Sequence, residues 1–190
     1  MKVSKKLVYV SEDVLNAIAE ICRREGIAVG KFIDDALREA VRLEGLGYGL
    51  KEAVEFMEVV RAQRVLGGVF MPREVLDFMV ESVYRAERDK LLAQCFEAGK
   101  LYGRYLRERF KDHIGALKSF LEFTRWDLGE VNVSQEGGAY RLRCVSTVLS
   151  AEGTELLAKF LEGAVSGFGC NVLKVDSMRG IIVIEFREKA

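Results

Sequence analysis

Side chains able to act as nucleophiles, metal ligands or proton carriers are few and scattered in this chain. Cys22, Cys95, Cys144 and Cys170 form no C-x-x-C pair, and each lies in a stretch that reads as helix or strand. Cysteines so placed behave as small buried hydrophobes. Acylation or redox chemistry at Cys95 or Cys144 would need an exposed thiol with a lowered pKa, and Cys95 has Leu91, Leu92 and Phe96 around it. His113 is the only histidine, so one subunit cannot assemble a multi-histidine metal centre. A single histidine in a helical stretch reads as structural or surface rather than as a haem ligand. Any Ser-His-Asp constellation would have to use that same His113, and neither a G-x-x-x-x-G-K-S/T nor a G-x-G-x-x-G loop occurs. No catalytic residue, metal or cofactor is expected, and the chain does not read as an enzyme.

The other group with chemical potential is aromatic: Phe70, Phe96, Tyr102, Phe120, Phe123 and Trp126. Aromatic residues at helical spacing usually build core, and lining a pocket for a small apolar ligand is the functional alternative.

Net charge is zero, from 29 basic and 29 acidic residues. The simplest mark of a nucleic-acid binder, a strongly basic chain, is missing, so any DNA binding must come from local placement of charge. A hydrophobic content of 49% with a single proline supports a folded core rather than disorder. No apolar run approaches the roughly 20 residues of a membrane span. Residues 1–6 lead into a short alternating pattern rather than a signal-peptide core, so a cytoplasmic protein without membrane contact is expected. Abundant charge of both signs, with only three Asn and three Gln, fits a heat-adapted organism.

The elements that must position these side chains begin with an alternating segment, residues 5–10, which reads as a strand. Ser11, Glu12 and Asp13 then supply helix-capping types. Val14, Leu15, Ile18, Ile21 and Cys22 recur at helical spacing until Gly26, which predicts a helix over 13–25. After a turn over 26–30, Phe32, Ile33, Ala36, Leu37, Ala40 and Val41 mark a second amphipathic helix ending near Gly45. A unit of about 40 residues buries too little to stand alone, and its single strand leaves backbone groups unpaired. A two-fold dimer, with strands paired antiparallel and helices interlocked, meets both needs.

Residues 5–41, with Val10, Ser11, Glu12, Asp13 and Val14 at the strand-to-helix junction and Arg24, Glu25, Gly26 and Ile27 before the turn, resemble the ribbon-helix-helix transcription regulators of the MetJ/Arc/CopG kind. The resemblance implies that alternate strand residues enter the major groove of DNA. In the register that buries Val8 and Val10, that outward set is Lys5, Leu7 and Tyr9. It also implies a phosphate contact at the start of the second helix, where free backbone N–H groups and the positive dipole end lie, with Gly30 allowing close approach and Lys31 adding charge.

Gly45, Gly47 and Gly49 form the best linker, giving a module over 1–45, a linker and connecting helix over 46–64, and a second domain over 65–190. In that domain a broken segment over 65–71 precedes Pro72, which suits the first turn of a helix reaching about residue 85. Helices follow over about 87–110 and 113–126. The period then changes to alternating, with a hairpin over 131–145, a helix over 151–168 and a second hairpin over 171–186. The expected class is α+β, an intermolecular ribbon-helix-helix joined to helices and an antiparallel sheet made of two hairpins.

The order of helices, hairpin, helix and hairpin, with its best stretches at 69–75, 96–103 and 151–167, is similar to the 4-vinyl reductase type domain, related in fold to haem nitric-oxide-binding proteins and transport-particle subunits. The cysteines common near the last hairpin of that family are replaced here by Val175, Asp176, Ser177, Met178 and Arg179 before Gly180. The expectation is a homodimeric or higher-order DNA-binding regulator of double-stranded DNA, whose second domain senses a small apolar effector or oligomerises. The alternative is an interaction or ligand-binding protein that uses the ribbon only to dimerise.

Overall fold

A computed structural model describes residues 6–189. The chain divides into two compact units, Met1–Val54 and Glu55–Ala190.

In the first unit, helix α1 (Glu12–Glu25) ends at Gly26, whose left-handed backbone (φ 69°) no other residue type adopts as readily. Helix α2 (Val29–Gly45) starts with Ala28 at its N-cap, two residues earlier than the turn spacing suggests. Gly30, expected in the turn, therefore lies with Lys31 inside the first turn of α2. Residues 6–10 carry no strand. Strand hydrogen bonds need a neighbouring strand, and an intermolecular ribbon has no neighbour within one chain. The register expected to bury Val8 and Val10 is not expressed: Val8 is 70% and Val10 41% exposed.

Helix α3 (Leu50–Val65) spans the division between the units. Its later part belongs to the second unit, where Val59 joins the core and the Phe56 ring meets Phe123 edge-on at 5.5 Å. Pro72 caps α4 (Arg73–Arg109), a 37-residue helix broken at Glu87 by a non-helical φ/ψ of −141°/48°, close to the break expected between two helices there. Helix α5 (His113–Thr124) is capped by Asp112, whose carboxylate accepts from the Gly115 N–H at 2.8 Å.

Strands β1 (Glu130–Glu136) and β2 (Ala139–Val145) are joined by Gly137 and Gly138, both at positive φ (55° and 75°) as a tight hairpin turn requires. Helix α6 (Ala151–Gly167) leads to β3 (Asn171–Met178) and β4 (Ile181–Arg187). The final hairpin is longer than its apolar pattern suggests, with a turn of only Arg179 and Gly180. The four strands form one antiparallel sheet in the order β1-β2-β4-β3, so the α+β class holds.

Alternation along β2 and β4 turns Leu142, Cys144, Ile182, Ile184 and Phe186 to a single buried face. Leu157, Leu161, Ala164 and Val165 of α6 and Leu117 and Leu121 of α5 share that core. Helix α6 also packs against α4. A Cβ on Gly99 would lie 1.9 Å from the Phe160 carbonyl oxygen, and one on Gly103 2.0 Å from that of Ala164. Gly163 meets Phe96 and Gly167 meets Lys100 in the same way. The partners advance together along both helices, so α4 and α6 run parallel with their backbones touching.

Candidate functional site

The expected DNA-facing residues divide between what the structure describes and what it does not. Lys5 lies outside the described residues. Leu7 and Tyr9 are exposed, Tyr9 at 91%, but so is every residue over 6–10, and no alternation separates a groove-facing set from a helix-facing set. Gly30 has open space around its Cα and stands in the first turn of α2, where backbone N–H groups lack intrahelical partners. The Lys31 Nζ donates to the Asp35 carboxylate at 2.6 Å, and that bond raises the Lys31 pKa. Lys31 thus carries a partner one turn along its own helix. Arg38 is held in the same manner by Asp34 at 2.9 Å.

Both helices of this unit are amphipathic, yet Val14 and Leu15 of α1 and Leu37 and Val41 of α2 remain exposed. Leu7, Val8 and Tyr9 are exposed as well.

In the second unit the six expected ligand-lining aromatics do not gather in one place. Tyr102, Phe120 and Phe160 form a ring cluster at 5.3–6.4 Å, in which Phe120 is buried and the Tyr102 hydroxyl donates to Gln63 Oε1 at 3.0 Å. Phe123 belongs to the same core through Phe56. Phe96 lies beside Lys100, whose ammonium sits 6.0 Å from its ring centre. Phe70 and Trp126 stack on each other at 6.5 Å but stand on the surface, 93% and 76% exposed. Tyr102, Phe120 and Phe123 are thus spent on packing, whereas Phe70 and Trp126 face water.

Cys22, Cys144 and Cys170 are buried and Cys95 is half-buried, all as free thiols. Burial pushes the Cys144 thiol up to about 12 and raises Cys95 and Cys170 as well. A raised thiol pKa keeps the sulfur protonated and unreactive at neutral pH. The His113 ring packs edge-on to Phe168 at 4.7 Å, a structural use. Among the described residues no three His, Cys, Asp or Glu side chains converge as a metal site, and no helix is long and apolar enough to cross a membrane.

A polar network missed by sequence reasoning fixes the segment between β2 and α6. The Ser146 hydroxyl donates to the Asp127 carbonyl at 2.6 Å and accepts from the Val148 and Leu149 N–H groups. The Ser146 N–H donates to the Gly180 carbonyl, and the Gly180 N–H donates to Thr154 Oγ1 at 2.9 Å. Beside it the Arg125 guanidinium grips Asp127 in two bonds of 2.9 and 2.7 Å. Helix α4 is fastened to the same region: Arg73 donates to the Val148 carbonyl at 2.5 Å, and Tyr84 and Arg88 both donate to Glu155.

No protein-family model matches the chain, and neither the curated proteins nor the solved structures contain a match to it.

Proposed function

We propose that the chain is a dimeric DNA-binding transcription regulator, with residues 5–45 forming a ribbon-helix-helix and the second unit serving as an effector-sensing or oligomerisation domain. One observation carries this reading. An apolar, strand-forming segment stands unpaired and exposed directly before two short amphipathic helices whose apolar residues are themselves partly in water. Such a unit reaches a buried core only when a second copy supplies the other strand and the other helix pair. Lys5 and Tyr9, and the backbone donors of the first turn of α2, are the groups offered to DNA.

A second reading, a ribbon that only dimerises the chain, draws support from the Lys31–Asp35 ion pair and from Leu7, which offers a base edge nothing but apolar contact. Fluorescence anisotropy with mixed-sequence duplex DNA separates the two. Under the regulator reading, Lys5→Ala/Tyr9→Ala weakens binding about tenfold or more, the loss of one good contact per subunit, while the dimer mass is unchanged. Equal binding by both proteins, or none by either, would leave the ribbon as a dimerisation device.

A further inference from the structure

Helix α4 changes character at Glu87. Its second half is bound into the unit by Leu92, Gly99, Gly103 and Leu106, all buried, and the two glycines touch the backbone of α6. No residue over 73–87 is buried, and only Arg73, Val80 and Tyr84 are half-buried. Val75, Leu76, Phe78, Met79 and Val83 are exposed, Phe78 at 71%. In the register that sets Gly163 against Phe96, the first residue of α6, Ala151, stands level with Tyr84. The first half of α4 thus overhangs the end of α6.

The break has no cause in the local sequence. Helices bend sharply at proline, at glycine or serine pairs, or where a group inserts into the hydrogen-bond ladder. Arg85, Ala86, Arg88, Lys90 and Leu91 surround Glu87, all good helix formers, and no proline or glycine lies between Pro72 and Gly99. The bend is therefore held from outside the helix. Arg73 donates to the Val148 carbonyl at 2.5 Å. Tyr84, before the break, and Arg88, after it, both donate to Glu155 of α6, and Arg88 Nε also donates to the Tyr84 hydroxyl at 2.9 Å. At its other end this half of α4 joins α3 through residues 66–72, which turn at Gly67 (φ 78°).

We infer that residues 73–86 form a strap that swings open about Glu87 as one piece, kept shut by Glu155 and by the Arg73–Val148 bond. Glu87 supplies the pivot: its φ and ψ of −141° and 48° are already non-helical, so it turns while the helical stretches on both sides stay intact. A segment with so few buried apolar contacts opens at a cost well below that of unfolding its domain. Residues 66–72 reach about 25 Å when extended, which lets the strap tilt while α3 stays packed through Val59 and Ala62. The strap takes the sensing branch of the function proposed above, since a sensing domain needs a part with two positions that a ligand can bias. It involves only the second unit and does not depend on DNA binding.

Electron spin resonance distances in the full chain test it. Spin labels go on Phe78→Cys and Leu101→Cys, both exposed and on opposite sides of the pivot, with Cys95→Ser to keep the labelling specific and unlabelled chain in excess so that only distances within one chain are read. Glu155→Gln, which takes the charge from the bonds of Tyr84 and Arg88, raises the ratio of open to closed distances about tenfold or more. Adding Arg73→Ala raises it further. A control pair on Leu101→Cys and Ser134→Cys, away from the strap, keeps one distance throughout. The same single Phe78–Leu101 distance in the parent and in Glu155→Gln/Arg73→Ala would overturn the inference. So would a control pair that changes along with it, which would mean that the whole unit had loosened. No DNA is present in this measurement, so the strap and the regulator reading fail separately.

Discussion

Asp127 stands between two opposed influences: partial burial would raise its pKa, but the Arg125 guanidinium, bonded to both carboxylate oxygens, takes it below the ordinary value. A carboxylate lowered on folding stabilises the native state above its unfolded pKa of about 4, and that contribution is lost as pH falls through the lower folded value. Asp127→Asn should therefore cost about 1 kcal/mol at pH 7, a figure kept small because the pair is partly exposed. Urea unfolding at pH 7 and again at pH 3 should show the difference shrinking in acid; an equal loss at both would mean that packing, not charge, is at stake. The sequence offered no sign of this pair, since a bond across two residues depends on how the chain turns after α5. The burial of Cys22, Cys144 and Cys170 was legible, because each has apolar neighbours at the period of its own element. The half-burial of Cys95 was legible only in part, since one side of α4 is covered and the other is not.

Helices α4 and α6 touch backbone to backbone because Gly99, Gly103, Gly163 and Gly167 recur at four-residue spacing on facing surfaces. Gly103→Ala puts a methyl group within 2.0 Å of the Ala164 carbonyl oxygen, and neither backbone can yield without moving its helix. The expected loss is about 1–3 kcal/mol or more, read as a lower urea midpoint with the slope preserved; a stability within error of the parent would show that the helices separate freely. That spacing was present in the sequence, but four-residue glycine pairs also occur where no helix approaches, so the pattern became informative only with both helices placed. Elements with a strong period were legible to within a few residues: Glu12–Glu25, Leu50–Val65, the two hairpins and the break in α4. The orientation of the first half of α4 was not. An apolar stripe along a helix reads as a core-facing stripe, and here the core lies on the other side. The expected strand over 5–10 shows another limit: an alternating pattern gives a propensity, and residues 6–10 have no neighbouring strand to pair with.

At the scale of the whole molecule, two units of different character are joined through α3. The second buries a core of its own beneath one sheet face, whereas the first leaves many of its apolar side chains exposed. With no net charge on the chain, the proposed function makes attraction to DNA rest on a few lysines near the N-terminus and on the first turn of α2. The central claim is that these groups meet a duplex in pairs, one set from each subunit, and a salt series of DNA binding measures that directly. Neutralising about four phosphates per dimer predicts that log K falls against log salt with a slope of roughly −3 to −5. A slope in that range would support the regulator. No binding at the lowest salt, or binding indifferent to salt, would contradict it and confine the N-terminal unit to holding two chains together.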